Sequence, residues 1–309
     1  MTSEITLFVN PTAGRGRGAH AAQPAARALR DAGFSVRTVL GHDADDALRR
    51  AREAVEGGTG ALVAVGGDGM VSLALQAVAG TDTPLGVIAV GTGNDFARCL
   101  GLPVRDPAAA GRATADALKG GGRTVDLGRT GPGQADDRWF GTVLASGFDS
   151  RVNDRGNRMR LPAGRFKYDL AILAELAAFR PIPYRIVLDD TTELEIEATL
   201  VAVGNGTSYG GGMRICAGAA MDDGLLDVTV VGDCGRAELI KVFPRVYKGT
   251  HLDHPKVTVH RVRSITLDAP GITGYADGEP VGPLPLTARC VPAALRVLAP
   301  PAHGTEAGR

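Results

Sequence analysis

The chain has 309 residues, of which 44% are hydrophobic and 5% aromatic, and its 34 basic and 34 acidic side chains cancel. This length suffices for two ordinary domains, whereas the neutral charge and the few aromatic residues argue against nucleic-acid binding. No apolar run reaches the roughly 18 residues of a membrane span, and the start of the chain does not resemble a signal peptide. The four cysteines are widely separated, which predicts reduced thiols in a cytoplasmic protein.

The first 128 residues alternate apolar segments with helical patterns. We predict strands at 4–9, 34–40, 61–65, 85–90 and 123–127, and helices at 18–32, 43–56, 70–79, 94–100 and 107–119. Repeated β-α units predict a parallel sheet covered by helices on both faces. Ligands of such sheets bind beyond the carboxyl ends of the strands.

Three glycine-rich segments follow predicted strands at that end of the sheet. They are Asn10–Gly18, Gly66–Gly69 and Gly91–Phe96. Glycine lets backbone amides approach an anion closely, so the three segments together predict a nucleotide phosphate site. Asp68 would repel phosphate unless it binds a metal or handles a proton. Neither a Walker A sequence nor a dinucleotide-binding GxGxxG motif is present, which disfavours both of those classes.

After Leu127 the pattern changes to a turn-rich segment at 130–137 and then to alternating apolar and polar residues. We predict strands at 139–145, 183–188, 193–203, 225–231, 256–267 and 284–290, with helices near 163–179 and 235–247. The fold class is therefore α/β followed by an antiparallel β-sandwich. We place the domains at 1–128 and 129–300 and expect a disordered tail at 301–309. A return of about 291–300 to the first domain stays open.

Together the three glycine segments resemble the catalytic-domain family of diacylglycerol kinases, which includes bacterial lipid kinases and sphingosine and ceramide kinases. The resemblance covers about residues 4–298, and GGDG followed by GTGNDFAR at this spacing is highly specific. It implies that the γ-phosphate of ATP passes to a lipid hydroxyl, with diacylglycerol as the expected acceptor and Mg²⁺ as the metal. It also implies an ATP site formed by Asn10, Pro11, Thr12, Ala13, Gly14, Gly66, Gly67, Asp68, Gly69, Thr92 and Asn94.

The sequence Asp277-Gly278-Glu279 carries two further acids. From the pattern alone it is a hairpin turn, although residues i and i+2 of an extended chain share a face and could act together. The resemblance implies that Glu279 accepts the proton of the lipid hydroxyl and that Asp277 positions the hydroxyl or a metal. It also implies that Asp126 joins Asp68 in a metal–water network; otherwise Asp126 is an ordinary strand-end residue.

A structural Mg²⁺ site is implied at residues 220–225. Its ligands would be the Asp223 side chain and the carbonyls of Ala220 and Leu225, whereas the pattern alone is that of a common turn. Two positions depart from the family. Met70 follows GGDG where relatives carry Thr, and Gly41 stands where relatives often carry Thr near the adenosine.

A cluster of basic residues predicts contact with anionic lipid headgroups, because each such side chain near a bilayer contributes about 1 kcal/mol. The alternative is an ordinary solvated face. The cluster comprises Arg151, Arg155, Arg158, Arg160, Arg165 and Lys167, and a second one comprises Lys241, Arg245, Lys248 and Lys256. We therefore expect a cytoplasmic enzyme that attaches peripherally to membranes, and a homodimer stays open. The apolar segment 168–179 is core or an acyl-chain groove.

Two alternatives stay open in the sequence. An NAD kinase would share the GGDG element, although GTGNDFAR and the basic cluster argue against it. A nucleotide- or lipid-binding sensor without turnover is supported only by Met70. The histidines at 251 and 254 have a spacing suited to a metal, yet no third ligand lies near them in the sequence, so we predict no metal site there.

Overall fold

The computed structural model of the chain describes residues 4–9, 13–131, 137–147 and 181–301. Asn10, Pro11 and Thr12, the basic cluster at 151–167, the segment 168–179 and the predicted helix at 163–179 lie outside the described residues. The contacts divide the chain into a first unit, Met1–Val125 with Ala293–Arg309, and a second unit, Asp126–Pro292. The division falls before residue 128, and the chain returns to the first unit from Ala293 onward.

The first unit contains a parallel sheet whose strands are ordered β2-β1-β3-β4. The bounds are β1 (Glu4–Val9), β2 (Ser35–Leu40), β3 (Ala61–Gly66) and β4 (Leu85–Ala89). The end of β15 (Leu286–Val297) adds one parallel pair, Val297 opposite Leu85. Every residue of β3 and β4 is buried, as expected for inner strands covered on both faces.

The described residues of the first unit also form five helices. They are α1 (Ala13–Asp31), α2 (Ala44–Glu56), α3 (Asp68–Val78), α4 (Asp95–Cys99) and α5 (Pro107–Gly120). Asp43 and Asp106 cap α2 and α5 by accepting hydrogen bonds from the amides of Asp46 and Ala109. The core includes Leu7, Leu29, Val63 and Ile88.

Two helices begin earlier than predicted. α1 starts at Ala13 rather than at residue 18, so the glycines at 14, 16 and 18 are helical and the expected glycine loop is shorter. Each helical glycine costs about 1 kcal/mol relative to alanine, and the buried residues Ala25 and Leu29 later in α1 offset that cost by packing on the sheet. α3 starts at Asp68 because Gly67 takes the extended backbone of an N-cap residue.

The second unit is an antiparallel β-sandwich. Its strands are β5 (Arg123–Thr130), β6 (Arg138–Phe140), β7 (Val143–Gly147), β8 (Ile182–Leu188), β9 (Thr192–Gly204), β10 (Leu226–Gly232), β11 (Val257–Val262), β12 (Ser264–Asp268), β13 (Thr273–Ala276), β14 (Glu279–Pro283) and β15 up to Pro292. The order β14-β13-β7-β9-β8-β12-β15 is antiparallel throughout, and β10 pairs with β9 and β11.

Alternation along β9 shows how this unit builds two cores. Val201 and Val203 pack into one cluster with Ile186 and Val228, while the intervening Leu200 and Ala202 pack into another. The second cluster also contains Leu239 of α6 (Arg236–Val246). A 3₁₀ helix at Thr250–Asp253 follows α6.

Several predicted strands of this unit needed correction. The predicted strand at 256–267 is divided into β11 and β12 at Arg263, and the predicted strand at 139–145 is divided by the turn at Gly141 and Thr142. The pattern did not predict β13 and β14, because they are short and rich in glycine and proline. All four cysteines are free thiols. No helix in the described part of the chain is long and apolar enough to cross a bilayer.

Candidate active site

The ends of β3 and β4 bring two of the glycine segments into direct contact. These strands are neighbours, with Gly66 opposite Ala89. A Cβ atom added to Gly91 would lie 2.5 Å from the Cα atom of Gly67, and one added to Gly67 would lie 3.2 Å from the Cα atom of Gly91. The close approach of the two backbones therefore requires glycine at Gly91 and favours it at Gly67.

Asp68 ties the two segments together. Its Oδ2 atom accepts a hydrogen bond from the Asn94 amide at 2.7 Å, and its Oδ1 atom accepts one from the Asp95 amide at 2.7 Å. The carboxylate therefore caps the start of α4 from the first turn of α3. This contact joins two residues that the sequence analysis assigned separately to the ATP site.

Asn94 shapes the second segment from within. It has a left-handed backbone with φ of 59°. Its side chain is buried, accepts a hydrogen bond from the Gly91 amide at 2.8 Å and donates one to the Gly91 carbonyl at 3.0 Å. Because asparagine adopts this backbone more readily than most residues, it can close the turn. Thr92 stays exposed at the tip.

Two arginines that the sequence analysis missed hold the carbonyls of the same segment. Arg98 donates from Nε to the Gly93 carbonyl at 3.0 Å, and Arg105 donates from Nη2 to the Thr92 carbonyl at 3.2 Å. They place positive charge beside the segment, while the amides of Asp68 and Gly69 stand at the first two positions of α3, which have no intrahelical acceptor. This combination favours an anionic ligand. Arg98 is the last residue of the GTGNDFAR motif, so the sequence could have indicated its place in the site. Arg105 belongs to no motif, and nothing in the sequence indicated its role.

The residues at this rim also fit a divalent cation. A Cβ atom on Gly93 would lie 2.5 Å from Oδ2 of Asp68 and 3.3 Å from Oδ2 of Asp95, so both carboxylates lie against residue 93 and glycine leaves room for them there. Oxygen ligands of this kind suit Mg²⁺. The sequence analysis named Asp68 alone.

The two departures from the family pattern have structural explanations. The Met70 side chain is buried, and the Met70 amide donates to the Gly67 carbonyl at 3.0 Å, so α3 begins without a threonine hydroxyl. A Cβ atom on Gly41 would lie 2.4 Å from the Cβ atom of Ala47. The packing of α2 against residue 41 therefore leaves no room for threonine there.

In the second unit, Asp277 and Gly278 form the predicted hairpin turn between β13 and β14. Their φ angles of 50° and 84° are those of a type I′ turn. The Asp277 carboxylate accepts hydrogen bonds from the amides of Gly141 and Thr142 at 2.7 and 2.8 Å, and from the Thr142 hydroxyl. Asp277 therefore anchors the turn before β7, a role that the sequence analysis missed.

Glu279, two residues later, differs from Asp277 in its contacts. Its side chain is half-buried at the first position of β14. Within the described residues, no hydrogen bond or ion pair engages its carboxylate. Of the two acids in the Asp-Gly-Glu turn, Glu279 is thus the one whose oxygens are available to a substrate.

Asp126 holds a different turn. It lies inside β5 rather than at a strand end, and it is buried. Its Oδ2 atom accepts from the Gly224 amide at 2.7 Å, and its own amide donates to the Met221 carbonyl at 2.6 Å. The shared metal network with Asp68 stays a prediction.

The turn at residues 220–225 does not fit the structural Mg²⁺ that the resemblance implies. Oδ1 of Asp223 accepts from the Leu225 amide at 3.0 Å, and Oδ2 is in contact with the guanidinium of Arg261. The Arg261 Nε atom also lies 3.7 Å from Oδ2 of Asp227, which is 3% exposed and whose pKa is raised by burial. A guanidinium therefore already neutralises this turn, and a cation bound by Asp223, Ala220 and Leu225 would have to displace it.

This arrangement predicts that Mg²⁺ does not stabilise the nucleotide-free protein. We expect protein that has been stripped of metal with EDTA and then freed of the chelator to have the same Tm with and without millimolar Mg²⁺. Arg261→Gln is expected to lower the free energy of unfolding by about 1–2 kcal/mol, because Asp227 loses its compensating charge, and to make the Tm rise with Mg²⁺. Arg263→Gln, an exposed neighbour, is the control. A Mg²⁺-dependent Tm in the unmodified chain that Asp223→Asn abolishes would show that the metal binds there after all.

The parallel α/β unit with joined glycine segments and the antiparallel sandwich unit with its Asp-Gly-Glu turn define a nucleotide-dependent phosphotransferase. Residues 4–130 match the family model of the diacylglycerol kinase catalytic domain, and residues 142–299 match that of the YegS C-terminal NAD kinase beta sandwich-like domain. The chain belongs to the diacylglycerol kinase catalytic-domain family.

Individual relatives agree with this assignment. The chain is 47% identical over 301 residues to a protein of Mycobacterium tuberculosis named "Diacylglycerol kinase", covering 97% of this chain and 96% of that one. It is 34% identical over 286 residues to the "Probable lipid kinase YegS-like" of Pseudomonas fluorescens, covering 89% of each. The crystal structure of a diacylglycerol kinase from Bacillus anthracis has a TM-score of 0.72 at 21% identity, covers 97% of this chain and 98% of that one, and supports the fold.

These comparisons confirm the resemblance, the fold class and the enzyme class predicted from the sequence. The chain is a lipid kinase, and its family implies ATP as the phosphate donor. The alternatives of an NAD kinase and of a sensor without turnover are correspondingly disfavoured.

Proposed function

We propose that this lipid kinase transfers the γ-phosphate of ATP to the free hydroxyl of diacylglycerol and forms phosphatidate. The contact between the two glycine segments carries the proposal, because Asp68 joins them into a single amide-rich rim suited to phosphate. The choice of diacylglycerol is supported by the relative that is 47% identical across 97% of the chain.

The residues of the first unit would hold the nucleotide and orient it. The amides of Asp68 and Gly69 at the start of α3 would donate to the phosphates, and Arg98 and Arg105 hold the carbonyls of the segment at 91–93. Asp68 and Asp95 would hold Mg²⁺, which would supply positive charge to neutralise the phosphates. The roles of Asn10, Pro11, Thr12, Ala13 and Gly14 stay predictions, and the last two lie at the start of α1.

Glu279 would accept the proton of the lipid hydroxyl. In a loose phosphoryl-transfer transition state, this proton leaves late, so a carboxylate of ordinary basicity suffices. Such a base contributes about 10²–10⁴-fold in rate. Asp277, whose oxygens are held by Gly141 and Thr142, acts as a positioning residue for the turn that carries Glu279.

The substrate implies that the enzyme works at a membrane surface. In support, α6 presents the exposed side chain of Lys241, and Lys248 is exposed just beyond the end of the helix beside Tyr247, which is 46% exposed. Cationic residues flanking an aromatic side chain suit an anionic membrane interface. We propose that Lys241 and Lys248 of the second basic cluster contribute to peripheral attachment on the cytoplasmic side.

A lipid-panel assay tests the proposal. The purified chain is incubated with Mg²⁺, γ-labelled ATP and mixed micelles that contain diacylglycerol, phosphatidylglycerol, a sphingoid base or an isoprenoid alcohol, and each product is identified by mass. We expect label in phosphatidate and none after Asp68→Asn. Phosphorylation of another lipid alone would refute diacylglycerol as acceptor but keep the class, whereas conversion of NAD to NADP without any lipid product would refute both.

A further inference from the structure

A cluster of three metal-ligating side chains lies in the second unit, apart from the residues assigned above. Cys234 precedes α6, Glu238 lies in the first turn of α6, and His254 follows the 3₁₀ helix. The thiol sulfur, a carboxylate oxygen and an imidazole nitrogen all lie within 4.8 Å of one another. The short connection between Cys234 and α6 and the turn after the 3₁₀ helix therefore bring together ligands that the sequence separates.

The spacing between the ligand atoms of Glu238 and His254 matches a tetrahedral zinc ion, and the Cys234 sulfur lies within 4.8 Å of both. With zinc–ligand bonds of about 2.0–2.3 Å, neighbouring ligand atoms in a tetrahedron lie about 3.3–3.7 Å apart. Nε2 of His254 lies 3.4 Å from Oε1 of Glu238. A thiolate and an imidazole together favour zinc over the oxygen-seeking cations Mg²⁺ and Ca²⁺.

Cys234 supplies a buried ligand that no side chain or backbone group of the described residues bonds. It is 1% exposed, and within the described residues its thiol makes no hydrogen bond. Burial, with the charge of Glu238, raises the pKa of this thiol, which makes it a poor redox nucleophile. A bound metal cation would stabilise the thiolate form of Cys234.

Lys256 holds one oxygen of the Glu238 carboxylate, so the other oxygen can serve as the metal ligand. Its Nζ atom lies 3.3 Å from Oε2 of Glu238 and donates to the Asp233 carbonyl, which leaves Oε1 directed at His254. Such outer partners orient the ligands of metal sites. The Lys256 amide also makes a long, 3.3 Å hydrogen bond to Nδ1 of His254. With a metal on Nε2 the proton moves to Nδ1, so this contact must open on binding.

We propose that Cys234, Glu238 and His254 form a zinc site that ties the start of α6 to the segment entering β11, with water as the fourth ligand. His251, the other histidine with metal-like spacing, does not take part. It is buried and its Nε2 atom lies 2.9 Å from the Ile215 carbonyl. None of the three residues belongs to the site assigned to the lipid kinase reaction.

Cobalt(II), a spectroscopic substitute for zinc, tests the proposal with the full chain. The protein is stripped with EDTA and titrated with Co²⁺, whose ligation by a thiolate gives a near-ultraviolet charge-transfer band. We expect the band to saturate at one equivalent, to disappear when Zn²⁺ is added, and to be absent in Cys234→Ala. His254→Gln is expected to weaken Co²⁺ binding at least tenfold, and because His254 is not in the core this variant tests the site even if Cys234→Ala does not fold.

The controls are Cys290→Ser and His260→Gln, which should titrate like the unmodified chain. Zn²⁺ is also expected to raise the Tm of the unmodified chain and of both controls, but not of His254→Gln. The absence of a band at one equivalent, or a band that persists in both Cys234→Ala and His254→Gln, would show that the cluster is only an ion-pair network.

Discussion

Glu279→Gln is expected to lower kcat for lipid phosphorylation by about 10²–10⁴-fold, the usual contribution of a positioned general base. The KM for ATP and the Tm should stay unchanged, because no described residue bonds to the Glu279 carboxylate. The variant keeps the size and polarity of the side chain and removes only its capacity to take a proton. Steady-state kinetics with diacylglycerol micelles and a thermal unfolding curve measure the two effects separately.

Two control variants separate the base from its surroundings. Glu197→Gln changes an exposed glutamate of β9 and should leave kcat unaltered. Asp277→Asn should instead lower the Tm together with kcat, because an amide cannot accept hydrogen bonds at both positions from Gly141 and Thr142. Full activity in Glu279→Gln would eliminate the assignment of the base.

Gly91→Ala is expected to disrupt the nucleotide site directly. The new Cβ atom would lie 2.5 Å from the Cα atom of Gly67 and 2.9 Å from Oδ1 of Asn94. Because the first of these is a backbone atom, it cannot rotate away, and the two glycine segments must separate. We expect the free energy of unfolding to fall by about 1–3 kcal/mol, as in other overpacked sites, and the Kd for ATP to rise at least tenfold.

Gly120→Ala is the matched control for this variant. Gly120 ends α5, and a Cβ atom added there would have no other atom within 4 Å, so alanine fits and is favoured in a helix. Denaturant unfolding and ATP titration by calorimetry apply to both variants. Unaltered ATP binding in a folded Gly91→Ala protein would mean that the phosphates bind elsewhere.

The sequence was sufficient to place the strand ends and the glycine segments that follow them. The apolar runs before Gly66 and Gly91 predict buried parallel strands, and their neighbouring positions in the sheet bring the segments together. The contact that makes a single site, from Asp68 to the amides of Asn94 and Asp95, follows once the strand order is known.

Other features depend on contacts that leave no local trace in the sequence. Arg105 reaches the carbonyl of Thr92, and Arg261 reaches Asp223 across 38 positions of the chain. Asp277 accepts a hydrogen bond from Gly141, which lies 136 positions away. From the sequence alone, Asp277 therefore looks like an ordinary turn residue, and its anchoring role is not visible. Cys234 and His254 likewise meet only because α6 and the 3₁₀ helix fold back between them.

The early start of α1 shows that local sequence preference can also predict the wrong structure. Glycines at 14, 16 and 18 predict a loop by local preference, yet those positions are helical. The buried residues that follow in the same helix provide the packing energy that local preference does not include.

Hydrogen–deuterium exchange of the chain with and without Mg²⁺ and ATP tests most directly whether the joined glycine segments bind the phosphates. We predict that nucleotide slows exchange in peptides covering 67–71 and 91–96, and that peptides from β8 exchange at the same rate in both states. Saturating nucleotide that leaves exchange at 67–71 and 91–96 unaltered would contradict the account.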